Sequence, residues 1–165
     1  KTIIYIVVPT NRKFKNVLGL FGTGVTVVTT KYKKQFYGIT VNAFSSVSLE
    51  PPLVLVCIDS KTTSYKFIDK SKIYAVNILS SKQRKLSDLF SKSDDKTKLF
   101  DELDYFIDST GAPILSNSLG YVDCKVIKKY RSGDHHIFIG RVQSLNVFKQ
   151  RKPLLYYRGK YNSFK

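Results

Sequence analysis

The stretch VTVVTTKYKKQFYGITV, residues 25–41, decides the fold class of this chain. β-Branched residues dominate residues 25–32, the polar segment Lys-Lys-Gln follows at 33–35, and apolar residues resume at 36–41. Two such runs on either side of a short polar segment are typical of a β-hairpin. We therefore expect a pair of antiparallel strands here.

More strand-like runs follow this hairpin along the chain. After Pro51 and Pro52, LVLVCI at 53–58 places six apolar residues in a row, which suits a strand buried on both faces. Further runs lie at 73–79, 121–130, 136–148 and 154–157, with the turn sequence RSGD at 131–134. Seven or so strands joined mainly by short turns predict a mainly β fold, an antiparallel barrel with peripheral helices. No GxGxxG opens a helix after a strand, so a doubly wound dinucleotide fold is not expected.

Helices are predicted at three places beside these strands. Asn11 is expected to cap the first, with Gly22 and Gly24 ending it. Its apolar residues have the spacing of one buried face: Phe14, Val17, Leu18 and Phe21. A short helix is expected near 65–68, and the capping-box spacing of Ser80 and Gln83 predicts a third. Residues 91–110 are acidic in places and only weakly helical in pattern, so the sequence specifies their structure poorly.

Length, charge and cysteine content set limits on the class of protein. A chain of 165 residues fits one domain, residues 1–165. The 28 Lys and Arg against 12 Asp and Glu give a net charge of +16, which attracts nucleic acid, acidic lipid or phosphorylated cofactors alike. Cys57 and Cys124 lie in apolar runs and are expected to be buried free thiols. The apolar run 3–8 predicts a short strand, being far short of the roughly 20 residues that span a bilayer. We expect a cytoplasmic protein without a membrane partner.

Two polar segments in the first half of the chain could bind an anion. Residues 40–48 form a bend with an amide, an aromatic ring and three serine hydroxyls, which can donate to a phosphate or to a ring edge. The segment DSKTTS at 59–64 precedes a helix start, where free N–H groups bind phosphate. An ordinary hydroxyl-rich loop and plain helix capping are the simpler interpretations.

Two segments in the second half combine imidazoles, aromatic rings and cations. GDHH at 133–136 delivers two histidines to a strand start, and adjacent strand residues point to opposite faces, so the two cannot serve one pocket. No metal site is expected, because the chain has no other histidine and neither cysteine is near in sequence. YYRGKY at 156–161 could stack a planar ring and pair an arginine with phosphate.

Five blocks of the sequence together resemble the short-chain flavin reductase family. They are GTGVTVVTT (22–30), GITVNAFSSVSLEPPLVLVCIDSKT (38–62), YAVNILSSKQRKLSDLF (74–90), GDHHIFIGRV (133–142) and PLLYYRGKY (153–161). Their order and separations are similar to the family's, over about residues 11–164. Within the family, the blocks look most like reductase components of two-component aromatic monooxygenases, such as the one paired with 4-hydroxyphenylacetate 3-monooxygenase.

The resemblance implies an FMN-binding split barrel that works as a homodimer. It also implies hydride transfer from NADH or NADPH to FMN or FAD, no catalytic acid or base residue, and reduced flavin supplied to a separate oxygenase. The implied flavin-binding residues are Thr23, Gly24, Val25, Thr26, Thr40, Val41, Asn42, Ala43, Phe44, Ser45, Ser46, Asp59, Ser60, Lys61, Thr62, Leu79, Ser80 and Gln83. The implied nicotinamide-binding residues are His135, Tyr156, Tyr157, Arg158 and Gly159.

Two departures from the family pattern and two alternative functions remain open. His136 stands where a small hydroxyl residue is expected, and KTIIYIVV at 1–8 has no family counterpart. One alternative is a flavin-binding electron-transfer protein on the same barrel, without rapid NAD(P)H turnover. The other is a basic β-barrel that binds nucleic acid, suggested by the charge of +16 and the Tyr/Arg-rich C-terminal segment, although nucleic acid is the less expected partner.

Overall fold

A computed structural model of the chain describes residues 10–92, 97–148 and 151–164. Within them the helices are α1 (Asn11–Leu18), α2 (Thr63–Ser71) and α3 (Arg84–Ser91), with 3₁₀ turns at Ser81–Gln83 and Thr97–Asp101. The strands are β1 (Thr23–Gly24), β2 (Thr26–Tyr32), β3 (Gln35–Val41), β4 (Phe44–Leu49), β5 (Pro52–Asp59), β6 (Ile73–Ile78), β7 (Tyr105–Ile107), β8 (Pro113–Leu115), β9 (Gly120–Ser132), β10 (His135–Val147), β11 (Leu155–Tyr157) and β12 (Lys160–Asn162). The predicted strand at 3–8 lies outside the described residues.

Seven strands form one antiparallel sheet in the order β3-β2-β6-β9-β10-β5-β4. The sheet curls around one core, because buried residues of β2, β3, β5, β6, β9 and β10 share a single apolar cluster with Ile68 of α2. Among the described residues, the edge strands β3 and β4 do not pair with each other, so the barrel is split there. The predicted antiparallel split barrel with peripheral helices is confirmed.

The hairpin predicted from residues 25–41 is the β2–β3 pair. Its register runs from Thr26 opposite Val41 to Tyr32 opposite Gln35. The turn is therefore Lys33-Lys34, and Gln35 belongs to the strand rather than to the polar break. Lys33 adopts a left-handed conformation with φ of 55°, which lets two residues reverse the chain.

The expectation that β5 is buried on both faces is wrong for the described chain. Val54, Val56 and Ile58 point into the barrel and are buried. The alternate residues of β5 and the neighbouring β10 residues form a half-buried apolar outer row: Leu53, Leu55, Cys57, Ile137 and Ile139. No layer of described protein covers this row, so Cys57 is only half-buried, whereas Cys124 is fully buried as expected.

Helix α1 forms where predicted, but its apolar face is not buried. Thr10 is the N-cap instead of Asn11, and the helix ends at Gly19, before Gly22 and Gly24. Exposure is about half or more for the residues expected to be buried: Phe14, Val17, Leu18 and Phe21. Periodicity predicts an apolar face, but whether that face is covered depends on what lies opposite it, and here it lies beside an open cleft.

The second half of the fold adds a small hairpin that local sequence did not predict. Strand β7, which lies within the weakly specified region 91–110, pairs with β8, which follows that region. Asp108 ties their loop to the barrel by accepting hydrogen bonds from Tyr121 (2.5 Å) and Ser144 (2.6 Å). The buried Asp123 accepts from the Thr110 N–H at 2.8 Å. The capping box of Ser80 and Gln83 is present, although it opens a 3₁₀ turn ahead of α3. No described helix has the length and apolar character needed to cross a membrane.

Candidate functional site

The first block, residues 22–30, and the bend after β3 are in contact. Asn42 Nδ2 donates to Thr23 Oγ1 at 3.3 Å, and Thr26 Oγ1 donates to the Val41 carbonyl at 2.6 Å. Thr23 also pairs with Tyr156, because β1 and β11 lie side by side. The structure therefore brings together three segments that the sequence separates by up to about 130 residues.

The loop after β5 meets the turn before β10. Asp59 pairs with His135 across the two strands, and the Ser60 N–H donates to the Asp134 carbonyl at 3.0 Å. Within the loop, the Asp59 carboxylate accepts from the Lys61 N–H at 2.8 Å. Thr62 caps α2 by accepting from the Tyr65 N–H at 3.2 Å. These bonds hold the loop in one shape at the start of a helix.

A small pocket of about 250 Å³ opens beside this loop. Asp59, Lys61 and Thr62 line it from the predicted segment, and Ser91 and Lys92 line it from the end of α3. Two lysines, several hydroxyls and the first turn of α2 make the pocket suitable for an anion. Sequence reasoning missed Ser91 and Lys92. The only available signal was a lysine directly after a predicted helix, in the region whose structure was weakly specified.

A larger open cleft of about 1140 Å³ lies between α1, the bend and the β11–β12 turn. Five predicted site residues line it: Asn42, His135, Tyr156, Arg158 and Gly159. Its remaining wall is α1, whose Phe14, Lys15 and Leu18 face the cleft and were not predicted as site residues. The helical spacing of Phe14 and Leu18 predicted a core face, and only the structure shows that the face borders a cleft.

The two histidines point in different directions, as predicted for adjacent strand residues. His135 lines the cleft, and its Nδ1 lies 2.7 Å from Asp134 Oδ1. That contact lowers the pKa of the exposed Asp134 carboxyl, because a nearby imidazole favours the carboxylate. His136 points inward, is buried, and lies 2.9 Å from Ser60 Oγ. Of the pair, only His135 borders the cleft.

The model of the flavin reductase like domain matches residues 18–165 of this sequence, most of its length. This chain belongs to that family. The membership confirms the family predicted from the five blocks, and with it the flavin reductase class of enzyme. The structural comparisons likewise confirm the fold of this flavin reductase-like protein as that of the family.

Three related proteins show how similar this chain is to characterised members of the family. The reductase subunit HsaB of a flavin-dependent monooxygenase from Rhodococcus jostii is 40% identical over 151 residues, which is 91% of this chain and 76% of that protein. The FMN reductase (NADH) SmoA from Agrobacterium fabrum is 34% identical over 154 residues, or 93% and 86% of the two chains. An NADH:FAD oxidoreductase from Streptomyces globisporus, solved in complex with NAD and FAD fragments, superposes with a TM-score of 0.88 at 32% identity and covers 98% of both chains.

Some predicted site residues of this flavin reductase-like protein lie behind the surface. Leu79 and Ser80 are fully buried, and Val25 and Thr26 nearly so. The Leu79 N–H donates to the Val25 carbonyl at 3.0 Å, and the Ser80 N–H donates to Gln83 Oε1 at 2.9 Å. None of these four residues lines the cleft. Backbone hydrogen bonds among Val25, Leu79 and Leu154 join the residues that follow β1 and β6 to the segment before β11.

Except for Val41, which is buried in the barrel core, the remaining predicted residues lie at or near the surface of the site. Ser45 and Ser46 are exposed on β4, and Phe44 packs against the barrel core. Thr40 Oγ1 donates to the Ser87 carbonyl at 2.6 Å, which fixes α3 against β3. Tyr157 is partly exposed, with the Arg158 guanidinium 5.4 Å from its ring centre. Planar and cationic groups therefore stay accessible beside the cleft.

Proposed function

We propose that this chain, as a single domain of residues 1–165, is an NAD(P)H:flavin oxidoreductase that acts in the cytoplasm. It binds FMN or FAD, uses NADH or NADPH to reduce the bound flavin, and supplies the reduced flavin to a separate oxygenase component. One observation carries the proposal. The open cleft places Asn42, from the predicted flavin segment, beside His135, Tyr156 and Arg158 from the predicted nicotinamide segments. Two planar cofactors that exchange a hydride must lie within one such space.

The small pocket fits the phosphate of a flavin. Lys61 and Lys92 bring two positive charges, Thr62 and Ser91 bring hydroxyls, and the first residues of α2, Thr63 and Ser64, line the same space. Asp59 also lines the pocket, but its carboxylate is engaged with the Lys61 N–H. The donor set therefore suits a phosphate, which needs several hydrogen-bond donors and positive charge.

The bend and the cleft suit the flavin ring. Asn42 and Thr23, linked to each other, present an amide and a hydroxyl at the cleft edge, where they can orient a polar ring edge. A flavin held here would supply the redox chemistry, as the acceptor of a hydride from nicotinamide. The protein's part is orientation, so we assign no residue as acid or base. Hydrogen-bond donors of residues 40–46 would stabilise negative charge on the ring.

His135, Tyr156, Tyr157, Arg158 and Gly159 form the proposed nicotinamide side of the cleft. The Asp134 carboxylate holds the His135 imidazole through Nδ1, so Nε2 is the nitrogen left to meet a ligand. The Arg158 N–H donates to the Gly19 carbonyl at 2.8 Å, which fixes the turn while its guanidinium lines the cleft. A guanidinium at this place can pair with a dinucleotide phosphate.

The openness of the cleft agrees with a flavin that leaves after reduction. A ligand that must be handed to a second protein is better held by a few anchoring contacts than by full enclosure. Here the phosphate pocket supplies such contacts, and the cleft beside it stays open to solvent. The relative named as a monooxygenase reductase subunit, HsaB, supports an oxygenase as the recipient.

A homodimer is the proposed assembly, with the outer row of β5 and β10 at its interface. Leu55 pairs with Ile139, and Cys57 with Ile137, so the half-buried residues form one continuous apolar strip. Leu49, at the end of β4 beside this strip, is 88% exposed. Apolar strips of this kind mark protein interfaces in soluble proteins. A second copy of the same chain is its proposed occupant, because a twofold contact pairs the strip with itself.

Steady-state oxidation of NADH, followed by absorbance with and without added FMN or FAD, tests the proposed activity. We expect flavin-dependent NADH consumption well above a blank without enzyme. Retained flavin with turnover no faster than the blank would favour an electron-transfer protein. Absence of flavin binding, together with tight and salt-sensitive binding of single-stranded DNA, would favour the nucleic-acid alternative.

Light scattering after size-exclusion chromatography tests the dimer. The wild type is expected to elute as a dimer and Ile139→Asp as a monomer, because a charge in the apolar strip would be buried at the interface. Ser109→Asp, on an exposed loop, is the matched control and should remain dimeric. A monomeric wild type, or a dimeric Ile139→Asp, would contradict the assigned interface.

A further inference from the structure

One face of α1 borders the cleft but has no part in the proposed reaction so far. Among the residues of α1 that line the cleft, four share a helical spacing of i, i+3, i+4 and i+7: Asn11, Phe14, Lys15 and Leu18. Residues at this spacing lie one above the other, so the four form a continuous stripe along the helix, the α1 stripe. Phe14 is 54% exposed, and α1 has no buried residue. The stripe therefore presents an amide, an aromatic ring and an ammonium group to the cleft.

The C-terminal end of α1 is joined to the nicotinamide side of the cleft. The Arg158 N–H donates to the Gly19 carbonyl at 2.8 Å, and the Gly19 N–H donates to the Lys15 carbonyl at 2.9 Å. Lys15 therefore lies about one helical turn, roughly 5.4 Å along the axis, from the residue that is bonded to Arg158. The cleft wall continues without a break from Arg158 to Lys15 and then to Phe14.

The order of these groups matches the order of groups in a nicotinamide dinucleotide, which has a nicotinamide nucleoside, two adjacent phosphates and an adenosine. The residues of the cleft wall fall into three sets in the same order: His135 and Tyr156, then the cations Arg158 and Lys15, then the ring of Phe14. Guanidinium and ammonium groups pair with phosphates, and an aromatic side chain stacks on a base.

The size and charge of the cleft also favour such a ligand. Its volume of about 1140 Å³ exceeds the roughly 300–1,000 Å³ typical of a pocket for one small molecule, so it has room beyond a flavin ring and a nicotinamide. Among the described residues that line it, Asp134 is the one carboxylate, and it lies 2.7 Å from His135 Nδ1. The charged groups beside the α1 stripe are cations. A second copy of the chain, with the same net charge of +16, would suit this wall less well than an anion does.

We propose that the α1 stripe binds the adenosine half of the nicotinamide dinucleotide: Phe14 stacks on the adenine ring, and Lys15 pairs with a phosphate beside Arg158. This inference rests on the proposed oxidoreductase function and names the part of its substrate that α1 recognises. The adenosine half does not react. Its contacts are the same before and during hydride transfer, so they lower KM without changing kcat.

Two alanine variants of α1 test the stacking. Val17 is the matched control for Phe14, because it is 59% exposed on the same helix and does not line the cleft. Steady-state rates at saturating FMN are measured with NADH and with reduced nicotinamide mononucleotide, which lacks adenosine and one phosphate. We expect Phe14→Ala to raise KM for NADH about five-fold, with kcat unchanged, and KM for the mononucleotide less than about two-fold. Val17→Ala should change neither KM by more than about two-fold.

Two methionine variants test the charge. Lys13 is the control for Lys15, because it is exposed on the same helix, does not line the cleft and carries the same charge. We expect Lys15→Met to raise KM for NADH about three-fold and Lys13→Met to leave it unchanged. The dissociation constant for FMN should stay within about two-fold of the wild type in all four variants, because α1 does not line the phosphate pocket.

Inhibition by AMP measures the adenosine contact without the nicotinamide. AMP is expected to compete with NADH in the wild type, and Phe14→Ala should raise its inhibition constant about five-fold, whereas Val17→Ala should not. If the mononucleotide is too poor a substrate to give a KM, the inhibition constants for AMP decide. Both substitutions are at exposed positions of α1, and thermal unfolding checks that the variants fold.

Three results would overturn the inference while leaving the proposed function intact. They are an equal rise in KM for NADH and for the mononucleotide in Phe14→Ala, an equal effect of Phe14→Ala and Val17→Ala on NADH and AMP, and a loss of FMN affinity in Phe14→Ala as large as the rise in KM for NADH. Absence of NADH oxidation by the wild type with either FMN or FAD would instead refute the proposed function, and with it this inference.

Discussion

The proposed phosphate end of the site, around residues 59–62, and the open cleft are built in different ways. At the phosphate end, the loop is fixed by bonds to its neighbours: Ser60 to Asp134 and His136, and Thr62 to the first turn of α2. At the cleft, α1 has no buried residue among the described positions, and the Gly19–Arg158 backbone bond joins its C-terminal end to the β11–β12 turn. The loop at the phosphate end is therefore anchored to the barrel, whereas α1 at the cleft lies on the barrel surface.

This difference matches the two tasks of the proposed enzyme. A flavin must be held in one orientation during hydride transfer, and a dense hydrogen-bonded loop can hold its phosphate. Both the nicotinamide and the reduced flavin must also exchange with solvent. Elements with few buried contacts open at low cost in free energy, and α1 is such an element. The structure therefore favours tight anchoring at one end and easy exchange at the other.

We expect the largest difference in the free energy of unfolding between a glycine substitution in the barrel wall and one at a turn. A Cβ at Gly140 would overlap the Tyr74 hydroxyl and lie 2.8 Å from Cys124 Cβ, in a fully buried place. Gly140→Ala is expected to lower the free energy of unfolding by about 3 kcal/mol, because the core cannot shift to admit it. The measurement is urea denaturation.

Gly133→Ala is the matched control for the barrel wall. Gly133 has φ of +63° but no atom within 4 Å of an added Cβ, so the substitution meets only backbone strain. We expect a loss of about 1 kcal/mol. Equal losses in the two variants would show that the wall is not more tightly packed than the turn.

Replacing the cleft histidine should separate nicotinamide binding from flavin binding. His135→Ala is expected to raise KM for NADH about ten-fold, or about 1.4 kcal/mol, because the imidazole lines the cleft and not the phosphate pocket. The dissociation constant for FMN should change less than about two-fold. Steady-state kinetics and flavin fluorescence measure the two quantities. An equal rise in both would contradict the assignment of His135 to the nicotinamide side.

Substitutions at the N-caps of α2 and α1 compare the stability of the two ends of the site. Thr62 accepts from the Tyr65 N–H at 3.2 Å, and Thr10 accepts from the Lys13 N–H at 3.3 Å, so the two capping bonds are alike. The Thr62 hydroxyl also donates to the Asp59 carbonyl at 2.8 Å. Thr62→Ala is expected to lower the free energy of unfolding by about 1 kcal/mol, because α2 packs into the core through Ile68. Thr10→Ala should change it by less than about 0.3 kcal/mol, since α1 can fray without opening the barrel. Thermal and urea unfolding provide the measurement, and a loss at Thr10 as large as at Thr62 would show that α1 is part of the cooperative unit.

Local sequence predicted those features that depend on a few adjacent residues. The β2–β3 hairpin, the capping box at Ser80 and the opposite directions of His135 and His136 all follow from short-range geometry. The exposure of the α1 face could not be predicted in this way, because the spacing of Phe14 and Leu18 is the same whether a core or a cleft lies opposite. The β7–β8 hairpin was also missed, since its anchor is the long-range bond between Asp108 and Tyr121.

Many residues of the candidate site could be predicted from the sequence, but the long-range contacts between them could not. Family resemblance assigned the residues of the five blocks, but it could not show that Ser60 contacts both Asp134 and His136, 74 and 76 positions away. Lys92 escaped prediction because it lies between a predicted helix and a weakly specified region, and only the folded chain places it across the pocket from Lys61. Pair contacts of this kind depend on the topology of the barrel.

The smallest expected effect tests whether the phosphate pocket acts locally or through the net charge of +16. Lys92→Met removes a lysine that lines the pocket, whereas Lys85→Met removes an exposed lysine of α3 outside it. Because solvent screens an exposed charge, we expect Lys92→Met to weaken FMN binding only about three-fold, or about 0.7 kcal/mol. Lys85→Met should leave it unchanged, and riboflavin should bind equally to both variants. An equal loss of FMN affinity in the two variants would mean that the basic surface as a whole attracts the phosphate, and the contrast between the two ends would then rest on the hydrogen bonds of the loop alone.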